Sequence, residues 1–283
     1  MFAVHLAYSL IKPSDRVLDL GGASSPFRRA NQVIDFMPYS KRNPHPDFLG
    51  RIPEHFSEAS WLIHDVCDRQ KPFPFKDGEF DFVVCGHLLE DVRDPFWLAS
   101  EIQRVAKRGY LEVPTRFVEQ MYWVERKGMC GYAHHRWYVD PRKNERGTCD
   151  LAFVYKNQSL HSSRKFQVRK NPLTLRKARM NTNLQFHGMV FNGPFKTWED
   201  LSSLADNARG FMLETVQAAG KRRDELWDLN APTPTALSQV DDLPSGLHLL
   251  SELQSRVTHK ELLFDAKTGR VTEQILQYEN SIG

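Results

Sequence analysis

Short runs of apolar residues recur through the first 115 residues, separated by polar stretches long enough to form helices or loops. Residues 95–107 place apolar side chains at helical spacing and begin with Pro95, a residue favoured in the first turn of a helix. Nearly continuous apolar runs are typical of strands in a parallel sheet covered on both faces. The pattern therefore predicts an α/β fold, doubly wound around a mostly parallel sheet, with strands at 16–20, 32–35, 61–65, 80–85 and 109–113.

The pattern changes in the second half of the chain. Residues 135–139 and 151–155 are apolar runs joined by a polar turn, and they predict an antiparallel hairpin that completes the sheet. Apolar spacing predicts a helix over 198–229 and a final helix over 246–257. We therefore expect two domains, a ligand-binding domain over 1–155 and a mainly helical extension over 156–283 that covers the substrate or forms an oligomer.

Composition and charge exclude several classes of protein. The 283 residues carry 38 basic and 35 acidic side chains, and a net charge of +3 does not require a nucleic-acid partner. No run approaches the roughly 18 apolar residues of a membrane-spanning helix, and the start of the chain does not resemble a secretion signal. The four cysteines form no CxxC pair and no disulfide framework, so we expect a cytoplasmic protein.

Carboxylates lie at the ends of three consecutive predicted strands, where a doubly wound fold binds its ligand. Asp19 precedes the small residues of Gly21–Ser25, Asp35 ends the second strand, and Asp65 ends the third. A carboxylate after the second strand can accept hydrogen bonds from both hydroxyls of a ribose, whereas three carboxylates repel a phosphate. The loop also lacks the GK[ST] sequence of a phosphate-binding loop. The pattern indicates a ligand that contains a nucleoside, and it argues against ATP.

Two motifs are more specific than the carboxylates alone. Residues 19–23 read DLGGA, and residues 72–95 read PFPFKDGEFDFVVCGHLLEDVRDP. The first is similar to the opening motif of class I S-adenosylmethionine-dependent methyltransferases of the type 11 group. The second resembles their stretch PFPDGSFDxVxxxHxLEHxxDP almost residue for residue. The resemblance covers residues 5–115 and implies a Rossmann-like fold, although Ala23 replaces a usual glycine and Asp91 replaces a common histidine.

The resemblance implies S-adenosylmethionine as the cofactor and two groups of residues that bind it. The first group lies beside the methionine part and the sulfonium and comprises Asp19, Gly21, Gly22, Ala23, Cys85, Gly86 and His87. In the second group, Asp35 would hold the ribose hydroxyls and Phe36 would pack against the adenine. Asp65 and the backbone of Val66 would hydrogen-bond the adenine.

Three histidines are candidates for the residue that removes a proton from the methyl acceptor. Transfer from a sulfonium needs mainly alignment and exclusion of water, but a hydroxyl acceptor also loses a proton, usually to His, Asp or Glu. His87 follows the fourth strand, and His134 and His135 precede the predicted hairpin. Orientation of its own loop is the favoured role for His87, and the pair could be a hydrogen-bonded structural element.

A metal site can be drawn from Cys130, His134, His135 and Cys149. Their spacing lacks a zinc-site pattern, and we therefore predict no metal. Cys67 and Cys85 are expected to be small buried apolar residues.

We expect a methyltransferase that acts on oxygen or nitrogen of a small-molecule acceptor, such as a sugar or a natural-product intermediate in biosynthesis. Residues 156–180 carry eight Lys or Arg and no acid, which leaves an RNA methyltransferase as an alternative. Ala23 and Ser25 leave a second alternative, a degenerate domain that binds a partner without catalysis. We expect no membrane partner, disfavour a nucleic-acid partner and leave a homodimer open.

Overall fold

A computed structural model provides the fold of the chain. It describes residues 7–8, 10–22, 25–42, 53–122, 124–126, 128–157, 167–168, 185–201, 210–214, 216 and 243–249, together with the backbone of 236–237, 257–258, 260–265 and 270–275. These residues build one mixed sheet of ten strands and two separate two-stranded sheets. No helix within the described ranges is long and apolar enough to cross a bilayer.

Five parallel strands form the first half of the sheet and confirm the predicted α/β fold. They are β1 (Val17–Leu20), β2 (Gln32–Asp35), β3 (Trp61–Ile63), β4 (Phe82–Gly86) and β5 (Arg108–Pro114). Their order is β3-β2-β1-β4-β5, and each neighbouring pair is parallel. Because the order reverses between β1 and β4, the crevice for a ligand opens at the carboxyl ends of these two strands.

Apolar residues cover both faces of the parallel strands. Leu18 packs on one face together with helix α1 (Pro95–Val105), whose Leu98, Ile102 and Val105 are fully buried. Val17 faces the opposite side, where the helical residues 7, 8 and 10 cover the sheet. Alternate residues of β1 therefore enter different cores, as expected for a doubly wound sheet.

Helix α1 begins where the sequence predicts. The Asp94 carboxylate accepts a hydrogen bond from the backbone N–H of Trp97 at 3.0 Å, and Pro95 occupies the first helical position. A carboxylate at this end of a helix satisfies an amide that has no partner within the helix. These two residues fix the start of α1, and the loop between β4 and α1 therefore has a defined end.

The second half of the chain adds strands that are mainly antiparallel. After a short helix α2 (Arg116–Glu119) come β6 (Trp137–Lys143), β7 (Cys149–Tyr155), β8 (Phe186–Asn192), β9 (Thr197–Glu199), β10 (Ala236–Leu237), β11 (Gly246–Leu249), β12 (Val257–Thr258), β13 (Lys260–Asp265) and β14 (Arg270–Ile275). The β6–β7 hairpin confirms the predicted antiparallel pair. It lies at the far edge of the sheet, because β8 pairs with β5 and β11 lies between β8 and β7.

The final helix predicted over 246–257 is wrong at both ends, where β11 and β12 form strands. Leu247 alternates with the more exposed His248 and is fully buried between β8 and β7, so strand pairing prevails over helical spacing. The helix predicted over 198–229 overlaps β9 at its start, and residues 210–214 and 216 are helical. Apart from residues 200 and 201, the remainder of that prediction lies outside the described residues.

The predicted division into domains at residue 155 stays a prediction. β7 ends at this position, and β8 and β11 from the second segment join the same sheet as β1–β5. In the basic stretch 156–180, the described residues are 156, 157, 167 and 168.

Candidate functional site

Two glycines form the turn after β1. Gly21 has a φ of +72°, a left-handed conformation that favours glycine. A Cβ on Gly22 would lie 2.9 Å from Cγ1 of Val33 and 3.0 Å from Oδ2 of Asp19. The first position therefore requires the backbone freedom of glycine, and the second requires its small size. The neighbouring predicted residue Ala23 lies outside the described residues.

Asp19 and Asp35 are buried carboxylates at the ends of β1 and β2. Asp19 Oδ2 accepts a hydrogen bond from the backbone N–H of Phe27 at 2.9 Å, and Asp35 Oδ1 accepts one from Met37 at 2.7 Å. Burial raises the pKa of Asp19 to about 7, and the charge of Asp35 adds to this rise, while the Phe27 amide opposes it. Two carboxylates so close in a buried edge favour a ligand that carries positive charge or hydrogen-bond donors.

An exposed apolar surface lies beside these carboxylates. The side chain of Phe36, which follows β2, is 73% exposed, and that of Ile63 at the end of β3 is 58% exposed. Ile63 pairs in register with Asp35, so it lies next to the carboxylate across the strands. Such a surface suits the flat face of a purine base. Ile63 was not among the predicted site residues, although it is the last apolar residue of its strand at the ligand-binding edge.

Asp65 forms an ion pair with Arg93. Its Oδ2 accepts a hydrogen bond from the Arg93 guanidinium at 2.8 Å, and its Oδ1 accepts one from the backbone N–H of Cys67 at 2.9 Å. The Cys67 hydrogen bond and, to a lesser degree, Arg93 lower the pKa of Asp65. Val66 is partly buried against the core. A base that binds to Asp65 would therefore share this carboxylate with Arg93.

His87 lies between two buried carboxylates after β4. Its Nδ1 is 3.2 Å from Glu90 Oε1, and its Nε2 is 2.8 Å from Glu112 Oε1. Burial acts to lower the pKa of His87, but the hydrogen bonds and charges of Glu112 and Glu90 outweigh it and raise the pKa to about 10. His87 also adopts a left-handed φ of 55°. The imidazole is therefore a fixed cation at neutral pH, and in that form it has no lone pair with which to accept a proton.

The remaining predicted residues after β4 contribute backbone or core. Cys85 is fully buried, and burial raises the pKa of its thiol well above the usual value. Gly86 is the last residue of β4 and pairs in register with Glu112. Leu88, two residues further on, lies over Gly21, where a Cβ would approach its side chain to 3.1 Å. The loop after β4 thus packs against the glycine turn after β1.

His134 and His135 lie together, and Asp91 lies between their Nε2 atoms. Both Nε2 atoms are 3.8 Å from an Asp91 carboxylate oxygen. His135 is buried, whereas the side chain of His134 is 53% exposed. The backbone N–H groups of the next two residues, Arg136 and Trp137, bond the carbonyl of Glu90. The histidine pair is therefore held against the loop that carries His87.

Buried or partly buried glutamates lie at hydrogen-bond distance from the Nδ1 atoms of the two histidines, which are the nitrogens that face away from Asp91. Nδ1 of His135 is 2.6 Å from Glu119 Oε1, and Nδ1 of His134 is 3.3 Å from Glu125 Oε2. Lys156, itself buried, pairs with Glu119. Neither acid was among the predicted site residues, because nothing in the local sequence links them to the histidines.

The cysteines of the rejected metal set behave as core residues. Burial raises the pKa of Cys130 to about 12, and Cys149 lies in the main apolar core. Within the described residues, the side chains close enough to share an ion are Asp91, His134 and His135.

One segment of the chain matches a known protein family. Residues 42–111 match the methyltransferase-domain family, and no curated protein matches. The matched segment includes β3, β4, α1 and the first part of β5, and it begins after the glycine turn and Asp35.

Several solved structures are similar over part of their length. A putative methyltransferase of Haloferax volcanii in complex with the Trm112 activator is 24% identical over 39% of this chain and 50% of its own, with a TM-score of 0.31. The N-terminal domain of EvdMO1, crystallised with SAH and D-fucose, is 19% identical over 50% and 58%, with a TM-score of 0.29. A methyltransferase of Thermotoga maritima is 18% identical over 40% and 50%, with a TM-score of 0.29.

This chain spans about half the length of these solved structures, and the TM-scores are too low to transfer a substrate or mechanism. The similarity to methyltransferases rests instead on the family match over residues 42–111. This segment contains the stretch PFPFKDGEFDFVVCGHLLEDVRDP, which carries the sequence resemblance. The match confirms, over residues 42–111, the resemblance of this chain to the class I S-adenosylmethionine-dependent methyltransferases.

Proposed function

We propose that the protein transfers the methyl group of S-adenosylmethionine to oxygen or nitrogen of a small-molecule acceptor. The observation that carries the proposal is the edge formed by buried Asp19 and Asp35 beside exposed Phe36 and Ile63. This edge combines acceptors for ribose hydroxyls with an apolar surface for a base, and it lies at the carboxyl ends of β1, β2 and β3, beside the point where the strand order reverses. The segment match to methyltransferases supports the same reaction.

The residues present fit this cofactor. Asp35 would hold the ribose hydroxyls, Phe36 and Ile63 would contact the adenine, and the turn at Gly21 and Gly22 would approach the methionine part. S-adenosylmethionine carries a positive sulfonium, and it would offset the repulsion between the Asp19 and Asp35 carboxylates. A ligand with phosphates would increase this repulsion. When bound, the cofactor supplies an electrophilic methyl group.

The role we assign to His87 is positioning. As an imidazolium held by Glu90 and Glu112, it fixes the loop after β4 in a left-handed turn and keeps Leu88 over the glycine turn. A proton from the acceptor therefore needs another base. His134 is partly exposed beside the same loop, and it is the candidate that the acceptor can reach.

The proposal is tested by measuring S-adenosylhomocysteine formed from S-adenosylmethionine in separate reactions with hydroxylated small molecules, with amines and with RNA. We expect turnover above the acceptor-free control in a small-molecule reaction, and a loss of at least about tenfold at subsaturating cofactor in D35A. Turnover with RNA alone would replace the proposal by an RNA methyltransferase. Binding of a protein partner without binding of the cofactor would replace it by a degenerate domain.

A further inference from the structure

The cluster of Asp91, His134 and His135 has a geometry that the reaction above does not explain. One potential ligand atom from each side chain lies within 4.8 Å of the other two. Both histidine Nε2 atoms face the same carboxylate at 3.8 Å, which is too long for a direct hydrogen bond. Three polar groups thus converge on a common point without bonding one another.

The outer nitrogens explain why the Nε2 atoms point inward. Glu119 and Glu125 lie at hydrogen-bond distance from the Nδ1 atoms of His135 and His134. When these Nδ1 atoms carry the protons, each Nε2 presents a lone pair toward Asp91. A carboxylate behind each histidine is the usual second layer of a metal site, because it fixes the tautomer and the ring orientation.

Asp91 supplies an independent observation. Its Oδ1 atom is buried and has no hydrogen-bond partner among the described residues. A buried carboxylate oxygen without a partner costs free energy, and lone pairs directed at the two oxygens of the same carboxylate increase that cost. A cation between the three side chains removes both penalties.

We propose that Asp91, His134 and His135 bind a divalent first-row transition-metal cation. Two imidazoles and a carboxylate suit ions such as Zn²⁺, Fe²⁺ or Co²⁺ better than Mg²⁺ or Ca²⁺, which prefer oxygen ligands. This site differs from the cysteine-containing set rejected above and does not depend on methyl transfer. It replaces the expectation that the chain has no metal site. Metal binding and the role of His134 as a base exclude each other, because both use the lone pair of its Nε2 atom.

An ion fits once the three side chains move closer together. At ligand distances of about 2.1 Å, the ligand atoms of such a site lie about 3.4 Å apart in tetrahedral geometry. The two Nε2-to-oxygen separations are 3.8 Å and the three ligand atoms lie within 4.8 Å of one another, so the cluster must contract by up to about 1.4 Å, which the partly exposed side chain of His134 permits. Three protein ligands leave a coordination position for water or for an oxygen of a bound molecule.

The test uses the untagged full-length protein and Co²⁺ as the probe, with titration followed by calorimetry and by visible d–d absorption. We expect one Co²⁺ per chain, displaced by Zn²⁺. The variants are Asp91→Asn, which keeps the size of the side chain, and His134→Gln, which changes a partly exposed residue. Each should weaken Co²⁺ binding by at least about tenfold. His248→Gln, at a histidine that lies on β11 outside the cluster, is the matched control and should bind as the unaltered protein does.

Circular dichroism shows whether each variant is folded. If Asp91→Asn does not fold, the test rests on His134→Gln. Absence of Co²⁺ and Zn²⁺ binding by the unaltered protein would overturn the proposal. Equal affinity in the unaltered protein and in the folded His134→Gln variant would overturn it as well. Since the readout is metal binding, a failure here leaves S-adenosylmethionine binding and methyl transfer as separate questions.

Discussion

His87 and Glu112 form a short contact across the loop after β4, with Nε2 of His87 2.8 Å from Oε1 of Glu112. The other oxygen of Glu112 accepts a hydrogen bond from the Tyr110 hydroxyl at 2.6 Å. Both carboxylate oxygens are thus occupied in a fully buried position. The contact links β5 to the loop that lies over the glycine turn, and it keeps the histidine charged.

The first prediction concerns the protonation of His87. Its imidazole should titrate near 10 rather than near 6.5, as measured by the carbon-bound ring protons in NMR, because Glu112 and Glu90 stabilise the charged form. Glu112→Gln should bring the titration down toward the ordinary value. A titration near 6.5 in the unaltered protein would contradict the assignment and would return His87 to the candidates for a base.

The same pKa predicts how stability depends on pH. The folded-state pKa of His87 lies above the unfolded value of 6.5, so its contribution is complete below pH 6.5 and is lost as the pH rises through about 10. The difference in free energy of unfolding between the unaltered protein and His87→Asn should therefore shrink over this range. Asparagine tolerates the left-handed backbone and isolates the effect of charge. A difference in free energy of unfolding that does not vary with pH would contradict the assignment of a raised pKa to His87.

Asp19 should also make stability fall as the pH rises, but here because the charged form is disfavoured in the folded protein. The pKa of Asp19 in the folded protein is about 7, above its ordinary 3.8, so stability falls as the pH rises from 3.8 to 7. Asp19→Asn keeps an acceptor for the Phe27 amide and removes the charge. It should raise the free energy of unfolding at pH 8 by a few kcal/mol, on the order of the pKa shift converted at about 1.4 kcal/mol per unit.

Urea unfolding of both proteins at pH 8 and at mildly acidic pH measures this effect. The gain should shrink at acidic pH, where the Asp19 carboxyl of the unaltered protein is itself protonated. If Asp19→Asn raised the free energy of unfolding equally at both pH values, or lowered it at pH 8, burial of the Asp19 charge would not be costly.

Phe36 is predicted to bind the cofactor without stabilising the fold. Since its side chain is 73% exposed, Phe36→Ala should leave the melting temperature nearly unchanged. Loss of the stacking surface should weaken S-adenosylmethionine binding by about 1–3 kcal/mol, the range measured when aromatic residues that stack on bases are removed. Leu201→Ala, at another exposed apolar residue, is the control and should bind normally. Equal affinities of the two variants would remove Phe36 from the site.

Asp35 is predicted to hold the ribose. Asp35→Ala should weaken cofactor binding by about 1–3 kcal/mol, the cost of leaving hydrogen-bonding groups unpaired. Asp77→Ala changes an exposed aspartate paired with Arg104 and should have no effect on affinity. Calorimetry of both folded variants measures the difference. Unchanged affinity in Asp35→Ala would refute the ribose assignment.

The sequence predicts the parallel half of the sheet well because each strand there is a short apolar run bounded by polar residues. β2 has the predicted bounds, and β1, β4 and β5 differ by one or two residues. The order of strands in the second half could not be predicted in this way. β8 pairs with β5 in an antiparallel register that runs from Pro114–Phe186 to Arg108–Asn192, and pairing between residues so far apart in the chain leaves no local signal.

The site shows the same limit. Asp19, Asp35 and Phe36 were predicted because strand ends and the family motif mark them, and the structure places them at one edge. Glu119 and Glu125 reach the histidines from α2 and from the segment after it, and no spacing in the sequence connects them. The convergence of Asp91 with the histidine pair likewise depends on the packing of the β4 loop against the start of β6.

Calorimetric titration of the purified protein with S-adenosylmethionine and S-adenosylhomocysteine, with NAD and ATP as controls, tests the proposed cofactor site. We expect micromolar binding of the first two ligands and no binding of the controls, because the site has carboxylates and an apolar surface and disfavours phosphates. Binding of NAD or ATP, or no binding of S-adenosylmethionine and S-adenosylhomocysteine, would contradict it.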